Sequence, residues 1–213
     1  MSLHSDARAL LSGWTPPSAR DAELRERFLA HLDAHPDAMT RECLPDHLTA
    51  GTLVLTPDAD AVLLNHHRKA GVWLAFGGHC EPGDTTVAGV ALREAHEESG
   101  LADLDFDPVP LNLDEHAVEF CSPGTTVHHL DVRFVATAGR DDAHRASEES
   151  LAVRWWAVDA LPEMFPDMRR LIGDAVERVR GLGGSPNDSA VGTNTGVDHC
   201  RDLFAAVAPA AQD

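Results

Sequence analysis

Hydrophobic positions fall into three patterns along the chain. Leu24, Phe28 and Leu32 recur every four residues, which predicts an amphipathic helix capped by Asp21 and stopped near Pro36. From about residue 47 the pattern becomes short apolar runs. Residues 53–55 and 62–64 flank the turn-rich Pro57-Asp58-Ala59-Asp60 and predict paired strands, and 72–76 predict a third strand running into Gly77-Gly78. Residues 117–121 and 127–137 flank Ser122-Pro123-Gly124, a hairpin signal. In the second of these, Leu130, Val132 and Phe134 share one face while His129, Asp131 and Arg133 share the other. Residues 152–158 predict another strand, after which Met168, Leu171, Ile172, Ala175 and Val179 return at helical spacing until Gly181.

Strands, a helix, more strands and a helix imply a layered α/β domain over residues 47–180. Residues 1–46 read as an N-terminal helical extension and a candidate homodimer element. Residues 181–213 begin with a Gly-, Ser-, Asn- and Thr-rich stretch without periodicity, which predicts a flexible linker followed by a short terminal helix.

Composition narrows the chemistry. The 213 residues carry 35 acidic against 17 basic side chains, a formal charge of −18, and Lys69 is the only lysine. Such a surface repels nucleic acid polymers and anionic lipid, so any phosphate chemistry calls for a divalent cation as the bridge. Cys43, Cys80, Cys121 and Cys200 are scattered without a C-x-x-C pair, as in a reduced compartment. No run approaches the ~20 apolar residues of a membrane span, and the opening residues do not resemble a signal peptide. The expectation is a cytoplasmic protein.

The chemistry concentrates in Gly77-Gly78-His79-Cys80-Glu81-Pro82-Gly83-Asp84 and the segment after it. This is a strand end, a loop stiffened by Gly and Pro, and a helix entered through Asp84, Thr85 or Thr86 and terminated at Gly100. Glu94, Glu97 and Glu98 lie at i, i+3 and i+4, so their carboxylates are expected on one side of the helix. Ala88, Leu92, Ala95 and Ser99 are expected to face the sheet. Like charges so spaced cost a few tenths of a kcal/mol per pair, a cost that solvent can absorb or Mg²⁺ can reverse.

These residues resemble the signature of the Nudix hydrolase family, G-x5-E-x7-R-E-U-x-E-E-x-G-U with U a bulky aliphatic residue. The second half matches from Arg93 to Leu101, apart from Ala95 at the first U. The first half has Gly78, then Asp84 in place of Glu, and eight rather than seven residues before Arg93. The surplus residue is expected to lengthen the loop around Asp84-Thr85-Thr86. The resemblance implies a Nudix-like α/β/α sandwich with a mixed sheet. It also implies metal-dependent hydrolysis of a phosphoanhydride in a nucleoside diphosphate linked to another moiety, a small-molecule substrate. Carried over by position, Glu97 and Glu98 are the principal ligands for Mg²⁺ or Mn²⁺. Glu94 is a further ligand or the water-orienting base, and the backbone carbonyl of Gly77 or Gly78 completes the shell. Arg93 orients the carboxylates, most readily Glu97 at i+4.

Outside the signature, Glu148 or Glu149 is the candidate extra base or ligand. Glu81 and His79 are candidates for contact with phosphate, and Trp73 and Phe76 for stacking on a base or sugar. One of His128 and His129 can face a cleft, and Trp155 and Trp156 point to opposite faces of their strand. Competing readings are a nucleotide-binding sensor on the same fold, an isomerase on the same fold, which needs a catalytic cysteine in its own motif context whereas Cys80 sits in the signature loop, and a zinc site built from His79, Cys80 and His128 or His129. The last lacks recognisable ligand spacing.

Overall fold

Two helices, α1 (Leu3–Gly13) and α2 (Ala19–Ala34), precede β1 (Asp46–Leu55), β2 (Ala61–His67), β3 (Trp73–Leu74) and β4 (Phe76–His79). Then come α3 (Val87–Ser99), β5 (Asp105–Ser122), β6 (Thr125–Thr137), β7 (Ser150–Ala157) and α4 (Pro166–Gly183). The structure is a computed structural model that describes residues 2–122, 125–148 and 150–183.

The sheet is mixed. Its order is β3-β2-β1-β6-β5, with β4 added on β1 and β7 on β2. β1 and β6 run parallel, and the other pairs are antiparallel. β1 is the branch point: residues Thr49 to Thr52 pair with β4, while Val54 and Leu55 pair with β2. The fork is possible because Gly51 and Gly77 let two backbones meet. A Cβ on Gly77 would lie 2.8 Å from Gly51 Cα and 2.9 Å from the Ala50 carbonyl oxygen.

Alternation along β1 and β6 divides the layers. Leu48, Ala50, Leu130, Val132 and Phe134 pack with Val87, Val90 and Ala91 of α3 and with Leu11 and Phe28 of the N-terminal helices. Leu53, Leu55 and Val135 pack with Met168, Leu171, Ile172 and Ala175 of α4. Each such large side chain, fully buried, contributes about 2 kcal/mol. This is the expected sandwich, helices on both faces of a mixed sheet.

Several local expectations change. Ser18, not Asp21, caps α2: its side chain accepts from Asp21 N. The Asp21 carboxylate instead accepts the Leu113 N–H at 3.0 Å, pinning α2 to β5. α1 is an additional helix, capped by Ser2 and burying Ala7 and Leu11. The strand expected over 72–76 breaks at Ala75, and α4 runs to Gly183 rather than stopping at Gly181. β5 begins twelve residues before the expected 117, and its register shifts between Asp107 and Asn112. Pro108 and Pro110 fall in that interval, where a missing N–H is tolerated at a bulge. The turn residues 123–124, Glu149 and the tail from 184 lie outside the described residues. No helix among the described residues is long and apolar enough to cross a membrane.

Candidate active site

The strand-loop-helix segment closes on itself. Glu81 N–H donates to Asp84 Oδ2 at 2.8 Å and Asp84 N–H returns to the Glu81 carbonyl at 3.1 Å, with Gly83 between them at φ 112°. Residues 84–86 stay outside the helix, so the surplus residue is absorbed there, and Thr86 caps α3 through Gly89 N–H at 3.0 Å. Gly100 ends the helix in the left-handed region, at φ 69°.

Arg93 draws the loop and helix together. Its Nη1 donates to Glu94 Oε1 at 2.9 Å and to Glu97 Oε2 at 3.2 Å. Nη2 donates to the His79 carbonyl at 2.9 Å and Asp84 Oδ2 at 3.1 Å, and Nε reaches Asp84 Oδ1 at 3.3 Å. The shorter Asp84 thus receives the guanidinium fork in full. Burial pushes the Asp84 carboxyl up, but the bonds from Arg93 and Glu81 outweigh it and hold the group below the ordinary range. At Glu94 burial prevails over Arg93 and pushes the carboxyl above the ordinary range.

The three glutamates do not share one solvated face. The packing face of α3 runs through Val87, Val90, Ala91, Ala95, Glu98 and Ser99, whereas Ala88 and Leu92 are only half-buried. Glu98 is therefore buried among the sheet contacts, accepting Gly77 N–H at 2.9 Å and Asn65 Nδ2 at 3.2 Å. Glu97 stands at the mouth, its side chain 58% exposed. Glu94 lies between them against Gly78, where an added Cβ would come within 2.7 Å of its carboxylate. Main chain and acid meet at that point only because residue 78 lacks a side chain.

A cleft of about 1070 Å³ opens at the fork of the sheet, lined by Gly78, His79, Glu81, Glu94, Glu97 and Glu98 among others. Its other wall is a polar ladder. His47, His129 and His116 are cross-strand partners on β1, β6 and β5, followed by Thr49, Asp131 and Asp114, then Gly51, Arg133 and Asn112. Arg133 is buried between Asp131, at 2.9 Å, and Asp114, at 3.1 Å. Burial, with Arg41, His47 and Lys69 adding to it, pushes His79 down to about 4. Burial beside His79 and His116 takes His129 to about 3.

The remaining candidates separate. His129 faces the cleft, while His128 turns to Asp46 at 3.0 Å. Trp73 does not line the cleft: it stacks on His66 and meets Trp156 edge-on. Phe76 is 1% exposed and packs with Val54, Leu63 and Ala95, leaving no face for a base. The Phe76 ring is thus buried although the residue lines the cleft, and the Trp73 ring is half-buried against the cluster that α4 covers. Glu148 is exposed, with its carbonyl held by Arg68 at 3.0 Å. Trp155 and Trp156 pack into clusters on opposite faces. Burial pushes the Cys80 thiol up to about 12, so it is not poised as a nucleophile. Sequence reasoning missed His47 and His116, although the alternation that exposed His129, Asp131 and Arg133 also runs through β1 and β5.

The NUDIX domain profile matches residues 45–175. No curated protein sequence matches the chain. Among solved structures it resembles a NUDIX-family hydrolase from Clostridium perfringens at 22% identity and TM-score 0.49, covering 64% of this chain and 97% of that one. It also resembles a C. elegans Ap4A hydrolase at 18% and 0.49, covering 63% and 98%. The E. coli dihydroneopterin triphosphate pyrophosphohydrolase matches at 20% and 0.49, covering 62% and 95%.

Proposed function

Because the chain belongs to the Nudix family, we propose that it hydrolyses a phosphoanhydride bond in a nucleoside diphosphate linked to another moiety, with Mg²⁺ or Mn²⁺ as cofactor. The observation that carries this reading is the acidic cup closed by Arg93, in which Asp84, Glu94 and Glu97 share one guanidinium and Gly78 touches the Glu94 carboxylate.

The donor set fits a hard divalent cation. Carboxylates of Glu94, Glu97 and Glu98 line the cleft with Gly78, oxygen donors of the kind such an ion takes, beside the imidazoles of His79 and His129. The raised position of Glu94 fits as well, since a buried acid beside other acids is stabilised by nearby positive charge. A bound ion supplies charge neutralisation for phosphate oxygens and the leaving group. The protein does the rest. Arg93 fixes Glu94 and Glu97 through Oε1 and Oε2 respectively. That leaves Glu94 Oε2, the oxygen not engaged by Arg93, to take the proton of the attacking water. Glu98 braces the Gly77 N–H, which holds the strand end against the helix. Arg20, Arg41 and Lys69 line the cleft and complement an anionic substrate.

We assign this activity to residues 47–180, to which the helical arm 1–46 adds Arg20 and Arg41 at the cleft, with the tail 181–213 outside the catalytic segment. The scattered cysteines support a cytoplasmic setting, and the net charge argues against a nucleic acid polymer as substrate. Glu149 stays a candidate base from the sequence and lies outside the described residues.

Glu97→Gln is the decisive variant, because an exposed side chain can change without disturbing the core. Phosphate or pyrophosphate release from a panel of phosphoanhydrides in Mg²⁺ should fall on the order of 100-fold or more, with the circular dichroism spectrum unchanged. Equal rates for variant and parent would refute the assignment of this carboxylate. Chromatography of the products identifies the bond broken.

A further inference from the structure

The cleft contains a second set of ligating groups that the glutamate cup does not use. His47 on β1 lies opposite His129 on β6, and His79 on β4 lies opposite Thr49, the next residue along the same face of β1. Their ring centroids are 4.8 to 5.0 Å apart. One ring nitrogen from each lies within 4.8 Å of those from the other two. We propose that His47, His79 and His129 form a binding site for a Zn²⁺-class transition-metal ion, distinct from the hard-cation cup of Glu94, Glu97 and Glu98.

Two details of hydrogen bonding support a ligand set over a simple stack of rings. His47 Nδ1 lies 3.1 Å from the Cys43 carbonyl, which can only accept, so the proton is on Nδ1 and the lone pair on Nε2. Anchoring the second ring nitrogen on a carbonyl is what orients ligating histidines. His129 Nε2 is buried with no hydrogen-bond partner among the described residues. Leaving such an atom unmatched costs about 1–3 kcal/mol, which a bond to a metal would remove.

Geometry and ligand chemistry then select the ion. Imidazole nitrogens suit Zn²⁺, Ni²⁺ and Cu²⁺, whereas Mg²⁺ prefers the oxygens of the cup. A tetrahedral ion with bonds of about 2.1 Å sets its ligands about 3.4 Å apart, so the rings need to rotate inward by about an ångström. Asp131, one rung along, is engaged by Thr49 at 3.0 Å and Arg133 at 2.9 Å, and it adds negative charge beside the site. His47 is fully buried while His79 and His129 line the cleft. The fourth position of the ion therefore faces the cleft, where water or an anionic oxygen can occupy it.

Chelator-treated protein is titrated with Zn²⁺, and separately with Co²⁺, in excess Mg²⁺ that saturates the carboxylates. The parent protein should retain one equivalent of Zn²⁺, and Co²⁺ should give the intense visible absorption of low coordination. His79→Gln and His129→Gln should each bind at least about tenfold more weakly, with circular dichroism verifying their folds, while Glu97→Gln binds as the parent does. Nitrogen-15 spectra of histidine rings provide a test independent of any variant: Zn²⁺ should shift His47, His79 and His129 and leave His66 in place. The proposal is overturned by absence of Mg²⁺-resistant uptake, by unchanged affinity in the histidine variants, by lost affinity in Glu97→Gln, or by unmoved ring signals. Because Zn²⁺ uptake is read without substrate, its failure is separable from failure of the hydrolase reading.

Discussion

Gly77 and Gly78 are neighbours in sequence with opposite reasons for lacking a side chain. A methyl on Gly77 meets backbone, Gly51 Cα at 2.8 Å and Ala50 O at 2.9 Å, which cannot move without parting β4 from β1. A methyl on Gly78 meets first the Glu94 carboxylate, the end of a side chain that Arg93 holds through one oxygen. Gly77→Ala should therefore cost at least about 1–3 kcal/mol in a urea melt, as overpacking does, with activity lost through unfolding. Gly78→Ala should stay within about 1 kcal/mol of the parent yet lower kcat on the order of tenfold or more, because Glu94 is displaced from its place. Reversed results would show that the cup is not built around residue 78. The sequence made Gly78, Arg93 and the glutamates legible because their spacing is local to one loop and one helix. It left Asp84 open, since only folding shows that a longer loop and a shorter acid bring both oxygens onto Arg93.

At the scale of elements, the N-terminal arm reaches the catalytic helix directly. Asp6 on α1 accepts the N–H of Val87, the first residue of α3, at 2.8 Å. That N–H has no partner within its own helix, and a carboxylate there also complements the helix dipole. Asp6→Ala should lower the urea midpoint by the equivalent of about 1 kcal/mol, and Asp6→Asn, which retains an accepting oxygen, by only a few tenths. A parental midpoint for Asp6→Ala would mean that this bond does not brace α3. None of this was readable in advance, because the link joins residues 81 positions apart and no local spacing relates Asp6 to Val87. For the same reason the histidine face stayed hidden: register between β1, β4 and β6, not proximity in the chain, assembles it. Strands with clean alternation, such as β6, were legible. The first twelve residues of β5, interrupted by Pro108 and Pro110, were not.

At the scale of the whole molecule, buried titratable groups set where acid begins to unfold the chain. His31, His47, His79 and His129 all lie below the ordinary histidine value, chiefly through burial. Around His79, Arg41 and Lys69 reinforce the depression and Asp131 opposes it. The unfolded chain takes up protons on these rings near pH 6.5, whereas folded His79 resists until about 4 and His129 until about 3. Between those limits the unfolded state binds more protons, so stability falls as pH falls. At about 1.4 kcal/mol per pH unit, His79 alone accounts for roughly 3 kcal/mol across its window. Asp46, Asp84, Asp114 and Asp131 are held below the ordinary carboxylate value by their cationic and hydrogen-bonding partners, against burial. Their contribution is complete above the unfolded aspartate value near 4 and is lost only below it. Metal-free protein should therefore lose stability in two stages, the first already under way at pH 6 and the second beginning near pH 4. Urea melts followed by circular dichroism at half-unit steps from pH 7.5 to 3.5 resolve the stages, and a curve flat down to pH 4.5 would show that the histidine wall is open to solvent and protonates without opposing the fold.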